Sequence, residues 1–144
     1  MIPAMNDILV VDDDSAMVKF LIEALLEKGY LCCGAYDGES AVLAIETARP
    51  ALVLLDLHLP DLSGVDVVAQ LRRHNRGHVP VVLMTADATA ATQLSSTTFR
   101  ECLLKPFDLD TLLACIGRYV RPQQQRHARS CTAYSMAPAS VTSR

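Results

Sequence analysis

Residues 51–56 read Ala51-Leu52-Val53-Leu54-Leu55-Asp56: five apolar residues in a row, preceded by Pro50 and stopped by an acid. A strand with one wet face alternates apolar and polar residues. An unbroken apolar run of this length reads as a strand covered on both faces, as in the interior of a parallel sheet. Parallel strands need crossover connections, usually helices, so the flanking sequence should show helical periodicity.

Working outward from this strand, it does. On the amino-terminal side, Asp37 offers a cap for a helix with Ala41, Val42, Ala44 and Ile45 inward, ended by Pro50. Before that come a strand over Leu31–Ala35 and a helix opened by Asp14 or Ser15. That helix carries Ala16, Val18, Phe20, Leu21, Ile22, Ala24 and Leu25 and closes at Gly29, a natural C-terminal helix stop. The first strand is Ile8–Val11. On the carboxyl-terminal side follow a helix over Val65–His74, a strand over Val79–Met84 with Pro80 near its start, and a short helix within 88–98, where Thr, Ser and Ala give mediocre propensity. A short strand at Cys102–Leu104 precedes a last helix capped by Asp108 and running to about Val120. Five β/α units in one chain predict an α/β, flavodoxin-like doubly wound fold with a five-stranded parallel sheet in the order 2-1-3-4-5.

Composition agrees. The chain has 144 residues, half of them apolar and a fifth charged, which suits one globular domain. Net charge is −3; residues 121–144 hold Arg121, Arg126, Arg129 and Arg144 and no acid, so removing that +4 leaves −7 for residues 1–120. Such an acidic body is a poor nucleic-acid ligand. The domain is therefore expected over residues 6–120, with 121–144 a basic tail without apolar periodicity, expected to be disordered. The five cysteines show no metal-ligand spacing, and no signal peptide or membrane-length apolar run is evident. A cytoplasmic protein with reduced thiols is expected.

The chemistry gathers at the strand ends. Strand one ends in Asp12-Asp13-Asp14, strand three in Asp56, strand four in Thr85, strand five in Lys105-Pro106. In the predicted order these strands are neighbours, and ligands of such sheets sit beyond the carboxyl ends of the strands. Clustered carboxylates call for a cation, and oxygen-only ligands suit Mg²⁺, with Mn²⁺ as an alternative. Lys105 adds a fixed positive charge and Thr85 a hydroxyl, the groups needed around a transferring phosphoryl. A carboxylate can be the nucleophile, and Asp56 is the best placed. Each feature alone has a plainer reading: a solvated acidic turn, a capping acid, a loop hydroxyl, a lysine before a turn proline. It is the combination that points to phosphoryl chemistry.

The set Val10-Val11-Asp12-Asp13, Asp56 with Leu57-His58-Leu59-Pro60-Asp61 and Gly64, Thr85-Ala86 and Lys105-Pro106-Phe107 resembles the bacterial two-component response-regulator receiver family, of the chemotaxis-type, single-domain kind, over about residues 6–120. The resemblance implies that Asp12 and Asp13 hold Mg²⁺ and that Asp56 is both phosphoacceptor and metal ligand. It implies that His58 gives its backbone carbonyl to the metal, that Thr85 and Lys105 hold phosphoryl oxygens, and that the Lys105–Pro106 peptide is cis. The implied donor is a phosphohistidine on a histidine kinase or histidine phosphotransfer protein. The phosphorylated chain would switch binding of a downstream protein, as a monomer or a weak phosphorylation-dependent dimer, with no output domain, no membrane and no direct nucleic-acid contact.

Two departures stand out. Receivers usually carry Tyr or Phe three residues before the lysine; here it is Cys102, and Phe99 lies in a different register. The stretch from Thr85 to Lys105 also runs about two residues short of the family. Intact phosphoryl chemistry with an atypical output face is the expectation. His58 and Asp87, two past the acceptor and two past the threonine, flank the site, and Asp61 and Gly64 read as turn residues, the glycine as a position for positive φ. Competing readings are an aspartate-nucleophile phosphatase, whose usual second acid is replaced here by His58, and an interaction domain of receiver shape that needs no phosphorylation.

Overall fold

The computed structural model describes residues 7–74, 77–93 and 99–122. Along the chain come β1 (Ile8–Val11), α1 (Ser15–Glu27), β2 (Cys32–Ala35), α2 (Gly38–Ala48), β3 (Leu52–Asp56), α3 (Gly64–Arg73), β4 (Val81–Thr85), α4 (Ala88–Gln93), β5 (Glu101–Leu104) and α5 (Leu109–Gly117). Residues 123–144 of the tail expected over 121–144, and residues 94–98 of the region expected to hold the fourth helix, lie outside the described residues.

The five strands form one parallel sheet in the order β2-β1-β3-β4-β5. This is the flavodoxin-like arrangement expected from the sequence. Period-two alternation splits each inner strand between two cores. Leu9, Val11, Val53 and Leu55 face a layer with Ala41, Ile45, Val67 and Leu71 of α2 and α3. Ile8, Val10, Leu52 and Leu54 face Val18, Leu21, Leu25, Leu112 and Ile116 of α1 and α5. Burial on both faces is why β3 carries no polar residue before Asp56. β5 is an edge strand, and only Leu103 of its four residues is buried, against the α1/α5 layer.

Local signals fix the helix ends. The Asp14 carboxylate accepts N–H groups of Ala16 and Met17, Asp37 that of Ser40, and Asp108 that of Thr111. Gly29, at φ 94°, ends α1 as read from the sequence. α3 begins in a capping box of Ser63 and Asp66, a Ser-x-x-Asp signal present in the sequence but overlooked there. β4 opens at Val81, not Val79: Pro80 has no N–H to give, though its carbonyl still accepts from Val53 at 3.0 Å.

One expectation is corrected. Gly64 does not take positive φ; among the described glycines only Gly29 does. Its reason is close approach. A Cβ there would lie 3.2 Å from Leu57 Cα and 3.3 Å from the Asp56 carbonyl oxygen, so the start of α3 can press against the end of β3 only without a side chain.

Candidate functional site

The sheet register sets the site. Val11 lies beside Leu55, which places Asp12 and Asp56 at the ends of adjacent strands; Asp56 lies beside Met84, and Thr85 beside Leu104, just before Lys105. Carboxylate oxygens of Asp12, Asp13 and Asp56 all fall within 4.8 Å of one another. Asp12 and Asp56 are buried, Asp13 exposed. Lys105 Nζ reaches over the pair, 2.7 Å from Asp12 Oδ2 and 3.7 Å from Asp56 Oδ2. The structure thus brings together Asp12, Asp13, Asp56 and Lys105, which lie as many as 93 positions apart.

Backbone groups hold these side chains. Asp12 Oδ1 accepts the Asp14 N–H at 3.0 Å, and Asp56 Oδ1 the His58 N–H at 3.3 Å. The Lys105 N–H donates to the Thr85 carbonyl at 2.8 Å, and the Lys105–Pro106 peptide is cis. Thr85 is fully buried. Its Oγ1 accepts the Asp87 N–H at 3.0 Å, which leaves the hydroxyl proton to donate. The His58 backbone turns back toward Ser63 in an antiparallel bridge. Its imidazole, 68% exposed, turns outward, with Nε2 3.7 Å from Asp87 Oδ2.

The electrostatics are unbalanced. Three ionised carboxylates facing one ammonium leave an excess of two negative charges. Burial, and then the charge of Asp12, push the Asp56 carboxyl above the ordinary aspartate range, and Lys105 and the His58 N–H only partly offset them. Burial pulls the Lys105 ammonium downward, but its hydrogen bond to Asp12 and the charges of Asp12 and Asp56 outweigh that and hold it above its usual value. The donor set is all oxygen and the deficit is two charges, so the residues fit a hard divalent cation.

Asp61, read as a turn residue, does more. Its carboxylate accepts the N–H groups of Gly38 and Glu39 at 2.7 and 3.0 Å, tying the loop after β3 to the start of α2. Those hydrogen bonds, that of Gly38 first, hold its carboxyl below the usual range. No sequence signal marks this contact, which spans 23 positions.

The response regulator receiver domain model matches residues 8–117. The chain belongs to that family. Receivers are signalling domains of two-component systems, and this one shares 36% identity over 116 residues with the probable transcriptional regulatory protein TcrX of Mycobacterium tuberculosis, covering 79% of this chain and 49% of that one. The regulatory protein AtoC of Escherichia coli is 32% identical over 126 residues, 85% of this chain and 27% of that one. The chain thus spans about half or less of these curated relatives. Among solved structures, the response regulator TrrA of Thermotoga maritima, in complex with Mg²⁺-BeF, superposes with a TM-score of 0.73 at 32% identity, over 81% of this chain and all of that one. Chemotaxis protein CheY4 of Vibrio cholerae gives 0.73 at 25% identity over 81% of this chain.

In this receiver the aromatic position departs as read from the sequence. Cys102 is exposed on β5, while Phe99 is buried in the α2/α3 layer at 4% exposure and does not take the surface place of a switch aromatic. Among the described residues, no helix is long and apolar enough to cross a membrane.

Proposed function

We propose that this receiver, over residues 6–120, accepts a phosphoryl group onto Asp56 from the phosphohistidine of a sensor kinase or phosphotransfer protein, and that the product switches binding of a downstream protein. The observation that carries it is the single Lys105 ammonium set over two buried carboxylates that belong to different strands. An Asp56 carboxylate oxygen attacks phosphorus; the new O–P bond forms as the N–P bond breaks, its electron pair going to the imidazole nitrogen. Lys105 and the Thr85 hydroxyl take phosphoryl oxygens, whose charge rises in the transition state. The carboxylates of Asp12, Asp13 and Asp56 and the backbone carbonyl of His58 would hold Mg²⁺, which when bound offsets the excess negative charge and polarises the phosphoryl group. Support comes from the relative solved with Mg²⁺-BeF.

The phosphatase alternative has less behind it. Its proton-transfer group would be His58, yet that imidazole turns outward to Asp87. An all-oxygen ligand set suits Mg²⁺ and Mn²⁺ alike, so both metals support the reaction in this reading. None of the four described cysteines is in a disulfide and three of them are buried, which suits a reducing cytoplasm.

Phos-tag electrophoresis after incubation with acetyl phosphate and Mg²⁺ tests the proposal. One shifted band per chain, absent in Asp56→Ala, is expected; turnover of many phosphomonoesters per chain, or a shift that survives Asp56→Ala, overturns it. Curated relatives include DNA-binding regulators, so the reading that this receiver acts through a protein is tested separately. Binding of duplex DNA by residues 1–122, by fluorescence anisotropy at low salt, would overturn that part.

A further inference from the structure

At the opposite end of the strands from Asp56, beneath the amino ends of β3 and β4, lies a surface cavity of about 240 Å³ lined by Ile45, Arg49, Pro50, Ala51, His78, Val79 and Pro80. Its wall is aliphatic and proline-rich, and its polar side chains are one guanidinium and one imidazole. Most small-ligand sites combine an apolar wall with few polar groups in this way. An apolar cavity of about 150 Å³ is enough for a benzene ring, so this one has room for a ring and a short polar substituent.

The placement of Arg49 is unusual. It caps α2 in the left-handed conformation, φ 51°, ψ 60°, the one non-glycine residue among those described with positive φ. Glycine is the common residue at such helix ends because a Cβ is strained there. Here a strained arginine stands in its place, at the cavity. Among the described residues nothing pairs with its guanidinium, and nothing pairs with the His78 imidazole. Both side chains are exposed and solvated, so the guanidinium, held at the helix carboxyl end, stays available to an anion that enters the cavity.

We propose that this cavity binds a small organic acid, a monocarboxylate with an apolar ring or branched body, the body against Pro50, Val79 and Pro80 and the carboxylate on Arg49, with His78 as a second donor. The bidentate fork of arginine matches a carboxylate, which favours this class over a neutral ligand of equal size. The site is separate from the aspartate cluster and does not depend on the phosphoacceptor reading.

Benzoate is the probe, followed by ¹H–¹⁵N shifts on the full chain at pH 7.5, with benzyl alcohol as the neutral control. Saturable shifts centred on Arg49, Ala51, His78 and Val79 are expected, with benzyl alcohol at least fivefold weaker. Arg49→Gly should weaken benzoate at least tenfold while keeping or raising Tm, because glycine relieves the left-handed strain; Arg49→Lys should lie between. A merely structural arginine would show neither the weakening nor the alcohol discrimination. The proposal is overturned by no saturable shift up to 20 mM benzoate (roughly the weakest affinity worth a site of this size), by shifts centred instead on Asp12, Asp56 and Lys105, by equal affinity for the alcohol, or by unchanged benzoate affinity in Arg49→Gly.

Discussion

Lys105 is closer to Asp12 than to Asp56: its Nζ lies 2.7 Å from the first and 3.7 Å from the second. The one ammonium is therefore spent chiefly on the residue beside the proposed acceptor. Asp56 stays buried and under-compensated, which is the physical reason its carboxyl is pushed upward. A carboxylate in that state is costly to the fold and ready to gain from any added positive charge.

Asp56→Asn removes one charge from a cluster with an excess of negative charge and keeps the shape. At pH 7 in EDTA it should raise unfolding stability by about 1 kcal/mol, within the range of single charge-optimising substitutions. Added Mg²⁺ should raise the urea midpoint of the wild type and narrow or close the gap, since only the carboxylate form gains fully from the cation. Equal or lower stability of Asp56→Asn in EDTA would show that Lys105 already compensates Asp56.

What the sequence could and could not say follows from the same geometry. Strand order, the convergence of Asp12, Asp13, Asp56 and Lys105, and the place of Thr85 at the end of β4 are legible because fully buried strands announce themselves as apolar runs, and a polar residue can appear only where they surface. The division of Lys105 between two aspartates was not legible, since it depends on ångström differences between strand ends. Neither was Asp61, whose partners are backbone groups of a distant helix start and leave no mark in residue type. Gly64 serves a close approach and not the positive φ expected of it, because the two look alike in a sequence.

Thr85 separates chemistry from stability. Its hydroxyl accepts one backbone N–H and has a proton left to donate. Thr85→Ser should keep phosphorylation by acetyl phosphate near the wild-type rate. Thr85→Val, similar in shape, should slow it roughly 100-fold, the usual loss on removing one donor to a charge that grows in the transition state. The measurement is the initial rate of Phos-tag band formation. A rate within threefold of wild type for Thr85→Val would remove the hydroxyl from the proposed chemistry.

The acid limb of stability should depend on Glu101. Arg118 binds it with two hydrogen bonds of 2.8 and 2.7 Å, and Tyr119 adds a third at 2.8 Å. The Arg118 hydrogen bonds above all, then that of Tyr119, hold the Glu101 carboxyl down to about 2, against the opposing effect of burial. A folded value below the unfolded one means stability that is fully present above the ordinary glutamate range, near 4.5, and lost as pH falls toward 2. Glu101→Gln should therefore lower Tm at pH 7, by roughly 2–4 °C given the exposure of Arg118. The difference should decline as pH falls from 4.5 through about 2 and shrink in 1 M salt. A difference undiminished at pH 2 would assign the effect to packing instead.

The last prediction concerns how the phosphorylated state is read out. A large aromatic on β5 can report a change at Thr85 by exchanging a buried for an exposed position. Cys102 is too small for that, and Phe99 is locked at 4% exposure in the α2/α3 layer. The exposed apolar group left on this strand is Leu104, 47% exposed and adjacent to Lys105. Signal from the site should therefore reach the surface over a short range. On adding beryllofluoride and Mg²⁺, amide shifts should be large at Asp12–Asp14, Asp56–His58, Thr85–Asp87 and Leu104–Lys105. They should be small, about a third of those or less in the sense of a locally confined rearrangement, across Ala88–Thr92 and Phe99–Cys102. Cys102→Tyr should enlarge the second set without changing the first. Shifts of equal size across both sets in the wild type would mean that α4 and β5 move together without an aromatic, and the idea of an atypical output face would fall.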